Sequence, residues 1–272
     1  MRARVISAAI RLPAVLVLCY IGGWPYALLI VAATSLAAYE YVGMFRRRGH
    51  TISVVTVGLL VLLWETYGIW PGQVWFPALV ALGMLVVSLW ELVQSRRYPG
   101  RFNPTENWAL TVAGGTYLGL GGAYLIALRA VPDGFWWTLS TFVAVWVGDS
   151  AAYFLGRRYG RHKMAPTISP GKSWEGYAAQ VVGGPLAGLL MAWLGQLIYG
   201  QAATLTLGRG IVLGLVVSVF CPAGDFLVSM MKREVAVKDT SGLIPGHGGM
   251  LDRIDSLLWA GILGYVLALW LR

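Results

Sequence analysis

Long apolar blocks joined by short polar connections run through this whole chain. A block of about 20 apolar residues matches the hydrocarbon thickness of a bilayer. Backbone in hydrocarbon must satisfy its own hydrogen bonds, which restricts such blocks to helices or closed barrels. The blocks fall near residues 5–21, 25–45, 52–70, 75–94, 108–129, 135–156, 174–198, 207–231 and 250–271. Their lengths suit helices and predict an all-α, polytopic integral membrane protein with about nine transmembrane helices. Composition agrees, with 57% hydrophobic and 12% charged residues, against roughly 25% charged in a soluble domain. The first block follows Arg2 and Arg4 and contains Arg11, as a signal peptide could. No small-x-small cleavage site follows and the second block begins at once, so it reads as an uncleaved helix. Cys19 and Cys221 lie far apart, without metal-ligand spacing, and read as small apolar fillers.

A net charge of +9 raises the question of nucleic acid. Nucleic-acid binding needs a basic face on a soluble fold. Here the basic residues sit in short loops between apolar blocks, so topology accounts for them and no nucleic-acid partner is expected. With the N-terminus cytoplasmic, alternating spans leave only Arg129, Arg209 and Arg272 of the 21 Lys and Arg on the opposite side. That asymmetry predicts an odd number of spans, with the N-terminus in and the C-terminus out; a multi-pass protein of the inner, cytoplasmic membrane, with its polar site facing the cytoplasm, is expected. Loop content divides the chain into an N-terminal transmembrane region (1–95), a middle region (96–134) and a C-terminal catalytic region (135–272). The middle region holds Gly114, Gly115, Gly119, Gly121 and Gly122, suited to close helix packing.

Acids inside apolar spans need an account, because an Asp at a helix centre costs about 2.5–3.5 kcal/mol to insert. Glu40, Glu65 and Glu91 lie near span ends and are expected to reach the interface or pair with a base. Asp149 has apolar neighbours on both sides, and Asp225 follows Pro222-Ala223-Gly224 late in the eighth span. Asp225, Ser229 and Lys232 are spaced i, i+4, i+7 and share one helix face. Lys232 to Thr240 follows, then a flexible turn, Pro245-Gly246-His247-Gly248-Gly249, where a ligand could approach the backbone. Asp252 and Asp255 re-enter the membrane on one helix face. Carboxylates of this kind hold magnesium together with substrate phosphates, and Lys and Arg neutralise phosphate charge. The set suits phosphoryl or nucleotidyl transfer.

The loop at 156–176 is the second constellation. Gly171-Lys172-Ser173 looks like the end of a P-loop, but Pro166 stands at the earlier glycine position and no strand is expected before it. Ser173, with Glu175 nearby, can start a helix whose free N–H groups favour an anion. Lys172 would add a point charge for a phosphate. His50 and His162 read as loop residues.

These residues resemble the phosphatidate cytidylyltransferases, also called CDP-diacylglycerol synthases. The signature of that family stands here as Ser229-Met230-Met231-Lys232-Arg233, Lys238-Asp239, His247-Gly248-Gly249 and Asp252-Arg253-Ile254-Asp255. The family's Gly-Asp matches Gly224-Asp225, its Ser-Pro-x-Lys-Ser-x-Glu-Gly element matches Ser169 to Gly176, and its Gly-Asp-x-x-Ala-Tyr element matches Gly148 to Tyr153. The motifs cover residues 148–255; the N-terminal half agrees only in its pattern of spans.

The resemblance implies that CTP and phosphatidate give CDP-diacylglycerol and pyrophosphate, in phospholipid biosynthesis. It implies a divalent cation, Mg2+, held by Asp225 and Asp252 with Asp149 or Asp255 in support, a monovalent cation such as K+, and a homodimer. Lys232, Arg233, Lys238 and Arg253 are expected to neutralise phosphate, and Asp239 and Asp255 to join the catalytic set. Ser169, Lys172 and Ser173 would bind phosphate or position the nucleotide, with Glu175, Ser229, Gly248 and Gly249 completing the substrate-binding surface. His247 would donate to a phosphate oxygen or order the glycine turn. The alternatives are a CDP-archaeol synthase or a CTP-dependent polyprenol kinase. An ion-coupled transporter fits less well, because the polar groups bunch at one face instead of midplane depth.

Overall fold

The computed structural model describes residues 13–97, 103–200, 203–243 and 248–271. Helix α1 is described over residues 13–21. It is followed by α2 (Gly23–Arg46), α3 (Val54–Ile69), α4 (Phe76–Arg97), α5 (Pro104–Ala130) and α6 (Gly134–Tyr159). Two short strands, β1 (Lys163–Ala165) and β2 (Ser169–Ser173), precede α7 (Trp174–Tyr199), α8 (Leu207–Phe220), α9 (Pro222–Glu234) and α10 (Leu251–Trp270). Six of these helices, and the continuous α8–α9 segment, are long and apolar enough to cross a membrane. Helix α3 is apolar but has only 16 residues. The chain is an all-α polytopic membrane protein, and the outward faces of α4 and α7 carry exposed Leu85, Leu89, Val93, Leu186, Leu190 and Leu197.

Two departures from the expected spans matter. The eighth span is two helices, not one. Pro222 has no N–H to continue the α8 ladder, so α8 ends at Phe220 and α9 starts afresh at Pro222. Asp225 therefore lies in the first turn of a helix, not near the end of one. The loop at 156–176 also holds strands, where none was expected. β1 and β2 form an antiparallel ribbon with Lys163 opposite Ser173 and Ala165 opposite Ser169. Gly171-Lys172-Ser173 is itself part of β2, so the ribbon does not restore a P-loop.

The chain divides into two compact units. The first comprises residues 1–18, 24–127 and 232–254. Its glycine-rich α5 lets neighbouring side chains reach the helix backbone. A Cβ on Gly115 would stand 2.6 Å from Leu60, and one on Gly119 would stand 2.8 Å from Val61 and Trp64. A Cβ on Gly114 would strike the Tyr41 ring, whose hydroxyl donates to the Leu110 carbonyl at 2.9 Å. The packing role expected of these glycines is thus met by α2 and α3.

The second unit comprises residues 19–23, 128–231 and 255–272. Its core joins Leu128, Trp137, Val145, Leu213, Val217 and Ala260. Helices α7 and α8 touch backbone to backbone. Gly184 and Gly188 on α7, four apart, face Gly214 and Gly210 on α8, also four apart, and a Cβ at any of the four would overlap the facing helix. Small residues at this spacing allow the close approach that holds helices together in lipid.

Gly214→Val tests that contact, since its side chain would strike the Gly184 carbonyl. Overpacking of this kind costs about 1–3 kcal/mol. The detergent-solubilised variant is expected to unfold at a lower temperature than the parent; an unchanged Tm would show that α7 and α8 do not pack through these glycines.

Candidate active site

The site residues fall into two sets, one in each unit, and two helices carry members of both. α9 holds Asp225 and Ser229 in the second unit and Lys232 and Arg233 in the first. α10 holds Asp252 and Arg253 in the first unit and Asp255 in the second.

In the second unit, Lys172 Nζ lies 2.8 Å from Asp225 Oδ2. It also sits 3.9 Å from the centre of the Phe226 ring, a cation–π contact. Ser229 Oγ donates to Asp225 Oδ1 at 3.1 Å. The i, i+4 spacing on α9 thus produces the contact expected of a shared face. Asp149, on α6, accepts from Gln180 Nε2 at 3.0 Å and lies within electrostatic reach of Asp225 and Lys172. The structure therefore gathers Asp149, Lys172, Asp225 and Ser229.

The other residues of the ribbon do different work. Ser173 is the N-cap of α7, where its Oγ accepts the Gly176 N–H at 3.2 Å. That cap was expected, but it leaves the hydroxyl buried and committed to the helix. Glu175 folds back over the loop. It accepts from the Arg161 N–H at 3.1 Å, the His162 N–H at 3.2 Å and the His162 ring Nδ1 at 2.7 Å. His162 is thus tied to the ribbon's entry, and Glu175 shapes the ribbon that carries Lys172. Ser169 opens β2.

In the first unit, Asp252 is a hub. Its Oδ1 accepts from Lys232 Nζ at 2.7 Å. Its Oδ2 accepts from the Thr240 N–H at 3.0 Å, the Thr240 hydroxyl at 2.9 Å and the Gly249 N–H at 3.1 Å. Charge-assisted bonds such as these are about twice as strong as neutral ones. The turn leading to them is sharp. Helix α9 ends with the Val237 N–H on the Lys232 carbonyl at 2.9 Å and the Ala236 N–H on the Arg233 carbonyl at 3.1 Å, with Ala236 at φ 56°. That is a Schellman stop with alanine in the left-handed position usually held by glycine. It turns the chain from Lys232-Arg233 toward Lys238-Asp239.

Lys238, Asp239, Arg233 and Arg253 are exposed. Asp255 is buried, and its Oδ1 accepts the Ser256 N–H at 2.6 Å. Gly248 has φ +74°, and a Cβ there would stand 3.0 Å from Asp252 Oδ2. A Cβ on Gly249 would overlap Thr240 Oγ1 and the Glu40 carboxylate. The two glycines are therefore needed by the site's own side chains. Pro245, Gly246 and His247 lie outside the described residues.

Three participants were missed in the sequence: Gln180, Thr240 and Glu40. Thr240 directly follows the Lys238-Asp239 motif, which was a local signal. Glu40, Glu65 and Glu91 were expected at the interface or beside a base. All three are instead buried, 2%, 1% and 3% exposed. Glu40 meets donors from Thr240, Ser241, Met250 and Leu251. Glu65 takes a hydrogen bond from Thr34 at 2.7 Å. Neither oxygen of Glu91 has a hydrogen-bond partner among the described residues.

Gly249→Ala is expected to displace Thr240 and Glu40. It should lower the Tm, by an overpacking penalty of about 1–3 kcal/mol, and remove most nucleotide-dependent activity. A variant with parental Tm and turnover would show that the turn tolerates a side chain.

Comparison with known proteins places these motifs in a wider setting. A model of the cytidylyltransferase family matches residues 2–271. A phosphatidate cytidylyltransferase of Brucella suis is 32% identical over 279 residues, covering 98% of this chain and 92% of that protein. One from Mycobacterium tuberculosis is 30% identical over 253 residues, 88% of this chain and 73% of that protein. One from Haemophilus influenzae is 50% identical over a shorter stretch of 123 residues, 44% of this chain and 41% of that protein. A match along nearly the whole length, together with the Asp225 and Asp252 clusters, establishes that the chain belongs to the cytidylyltransferase family.

Proposed function

We propose that the protein transfers the cytidylyl group of CTP to phosphatidate, producing CDP-diacylglycerol and pyrophosphate for phospholipid synthesis. The observation that carries this reading is the pairing of a lysine with each of two acids, Lys232 with Asp252 at 2.7 Å and Lys172 with Asp225 at 2.8 Å. Such pairs offer a cation to a phosphate and a carboxylate to a divalent ion. The family match over the whole chain supports the same reaction.

In the reaction a phosphate oxygen of phosphatidate attacks the α-phosphorus of CTP. The bond from that phosphorus to the oxygen bridging the β-phosphate breaks, and pyrophosphate leaves with the electron pair. The attacking oxygen is already anionic, so no protein nucleophile or covalent intermediate is needed. The protein's contribution is positioning and electrostatics. Lys172 and Lys232 neutralise phosphate charge, with exposed Lys238 and Arg253 adding positive potential. Ser229 and Gln180 hold Asp225 and Asp149 in orientation.

The donor set fits magnesium. That ion commonly takes one or two protein carboxylates and completes its shell with water and substrate phosphates. No cluster of three or more acidic, His or Cys groups occurs among the described residues, and a carboxylate pair suffices. Asp225 and Asp252 each accept an ammonium group, at 2.8 and 2.7 Å, so both carboxylates stand in surroundings that favour their charged form. The family resemblance assigns the ion to Asp225 and Asp252, with Asp149 in support; when bound it would polarise the phosphoryl group and screen the triphosphate. Positive-inside asymmetry supports a cytoplasmic location for these groups, in an inner membrane, where soluble CTP meets a lipid headgroup. The resemblance also supports a homodimer, which sizing in detergent would test.

Purified protein given labelled CTP, phosphatidate and a magnesium series is expected to release pyrophosphate and form CDP-diacylglycerol only when all three are present. Asp225→Ala and Asp252→Ala should each insert normally yet lose turnover by about 10²–10³-fold, the scale for removing one electrostatic group from a transition state. Activity with an archaeal ether lipid or a polyprenol in place of phosphatidate would instead favour the related lipid substrates. Near-parental turnover by either variant would remove that acid from the mechanism.

A further inference from the structure

Glu40 lies on α2, far outside the signature, yet its carboxylate meets four donors from the signature loop. Oε1 accepts from the Ser241 hydroxyl at 2.6 Å and the Met250 N–H at 2.9 Å. Oε2 accepts from the Leu251 N–H at 2.8 Å and lies 3.2 Å from the Thr240 hydroxyl, whose single proton it shares with Asp252. Met250 directly precedes α10 and Leu251 opens it, where the first backbone N–H groups have no partner within the helix. The Met250 thioether is a poor acceptor for them. Glu40 therefore supplies the cap that the local sequence lacks.

The same contacts reach Asp252. The Thr240 hydroxyl lies between Glu40 Oε2 at 3.2 Å and Asp252 Oδ2 at 2.9 Å. Gly249 lies against Glu40 and Thr240 as well, and its N–H donates to Asp252. Glu40 thus holds two of the three chain segments around Asp252, the Thr240-Ser241 strip and the entry to α10; the third is α9, whose Lys232 donates to Oδ1. Glu65 and Glu91, equally buried in the same unit, have no hydrogen bond to the signature among the described residues.

We propose that Glu40 is a positioning residue for the cytidylyl transfer, fixing the orientation of Asp252 by capping α10 and clamping Thr240 and Ser241. The inference rests on the reading that Asp252 acts in that reaction. The geometry requires a carboxylate. Each oxygen faces one backbone N–H, so an amide in either orientation sets its NH2 against a fixed donor. Aspartate is one methylene too short to reach all four partners. Glu40 does not touch the reacting atoms; its effect passes through Asp252.

Glu40→Gln tests this, with Glu65→Gln as the control for losing a buried carboxylate elsewhere in the unit. Two measurements are made on the purified full chain: hydrogen exchange of the peptide covering residues 248–256, and kcat and KM for CTP. Glu40→Gln is expected to speed exchange at the start of α10 and to lower kcat by about tenfold or more, the scale of small misplacements in an active site, with KM within about threefold of the parent. Glu65→Gln is expected to leave both close to the parent. Ser241→Ala is the second variant, should Glu40→Gln insert poorly. It should lower kcat modestly, and add nothing when combined with Glu40→Gln, because the two act as one unit. Parental exchange and kcat in Glu40→Gln, or strictly additive losses with Ser241→Ala, would overturn the proposal. If the parent protein makes no CDP-diacylglycerol, the reaction assignment falls, and the exchange measurement alone decides whether Glu40 orders the loop.

Discussion

A peptide group in hydrocarbon has no water to bond with, and leaving it bare costs several kcal/mol. The long spans of this protein therefore use their backbone donors internally and have none to offer a substrate. Donors become available only where a helix starts. Three helices start beside chemically active side chains: α7 after Lys172 and Ser173, α9 three residues before Asp225, and α10 one residue before Asp252. Proline at 222, serine at 173 and the Gly248-Gly249 turn are the local devices that create these starts. The features that interrupt the membrane helices are the ones that make chemistry possible in them.

The same constraint sorts the acids. A buried carboxylate is costly in its charged form unless it is bonded or paired. Asp252 and Glu40 each have three donors of their own and share the Thr240 hydroxyl; a lysine is among those of Asp252, and Glu40 has no base. Asp225, only partly buried, shares Lys172 with the Phe226 ring and accepts a hydrogen bond from Ser229. These groups are fixed in orientation before any substrate arrives, which is what a reaction governed by positioning requires. The donors also explain the loop's composition. Thr240 and Gly249 each meet both carboxylates, Ser241 bonds Glu40 and Gly248 lies against Asp252, so small or hydroxyl-bearing residues suit all four positions.

Helix locations were legible in the sequence, since an apolar block of bilayer length has few other solutions. The signature from Ser229 to Asp255 was legible too, because its residues lie close in sequence and one helical period puts Asp225 beside Ser229. The partners of Lys172 and Lys232 were not, since spacing places a lysine near a site without saying which acid it meets. The break at Cys221-Pro222 was passed over because its flanks are apolar on both sides and the hydropathy signal runs through it. The β1–β2 ribbon was missed for a similar reason: its five-residue second strand contains proline and glycine, which argue against a strand.

Sequence alone determined that this chain inserts in a membrane as helices, and that it carries a nucleotidyl-transfer signature in its last third. Both follow from properties of neighbouring residues: the length of an apolar run, and the spacing of acids and bases along it. Tertiary structure alone decided what each carboxylate does. Glu40 and Glu91 are alike in sequence context, each an acid near the end of an apolar span, yet Glu40 meets four donors and Glu91 has none among the described residues. Partners some 200 residues away along the chain make that difference, and no local pattern encodes a contact between segments that only folding brings within hydrogen-bond reach.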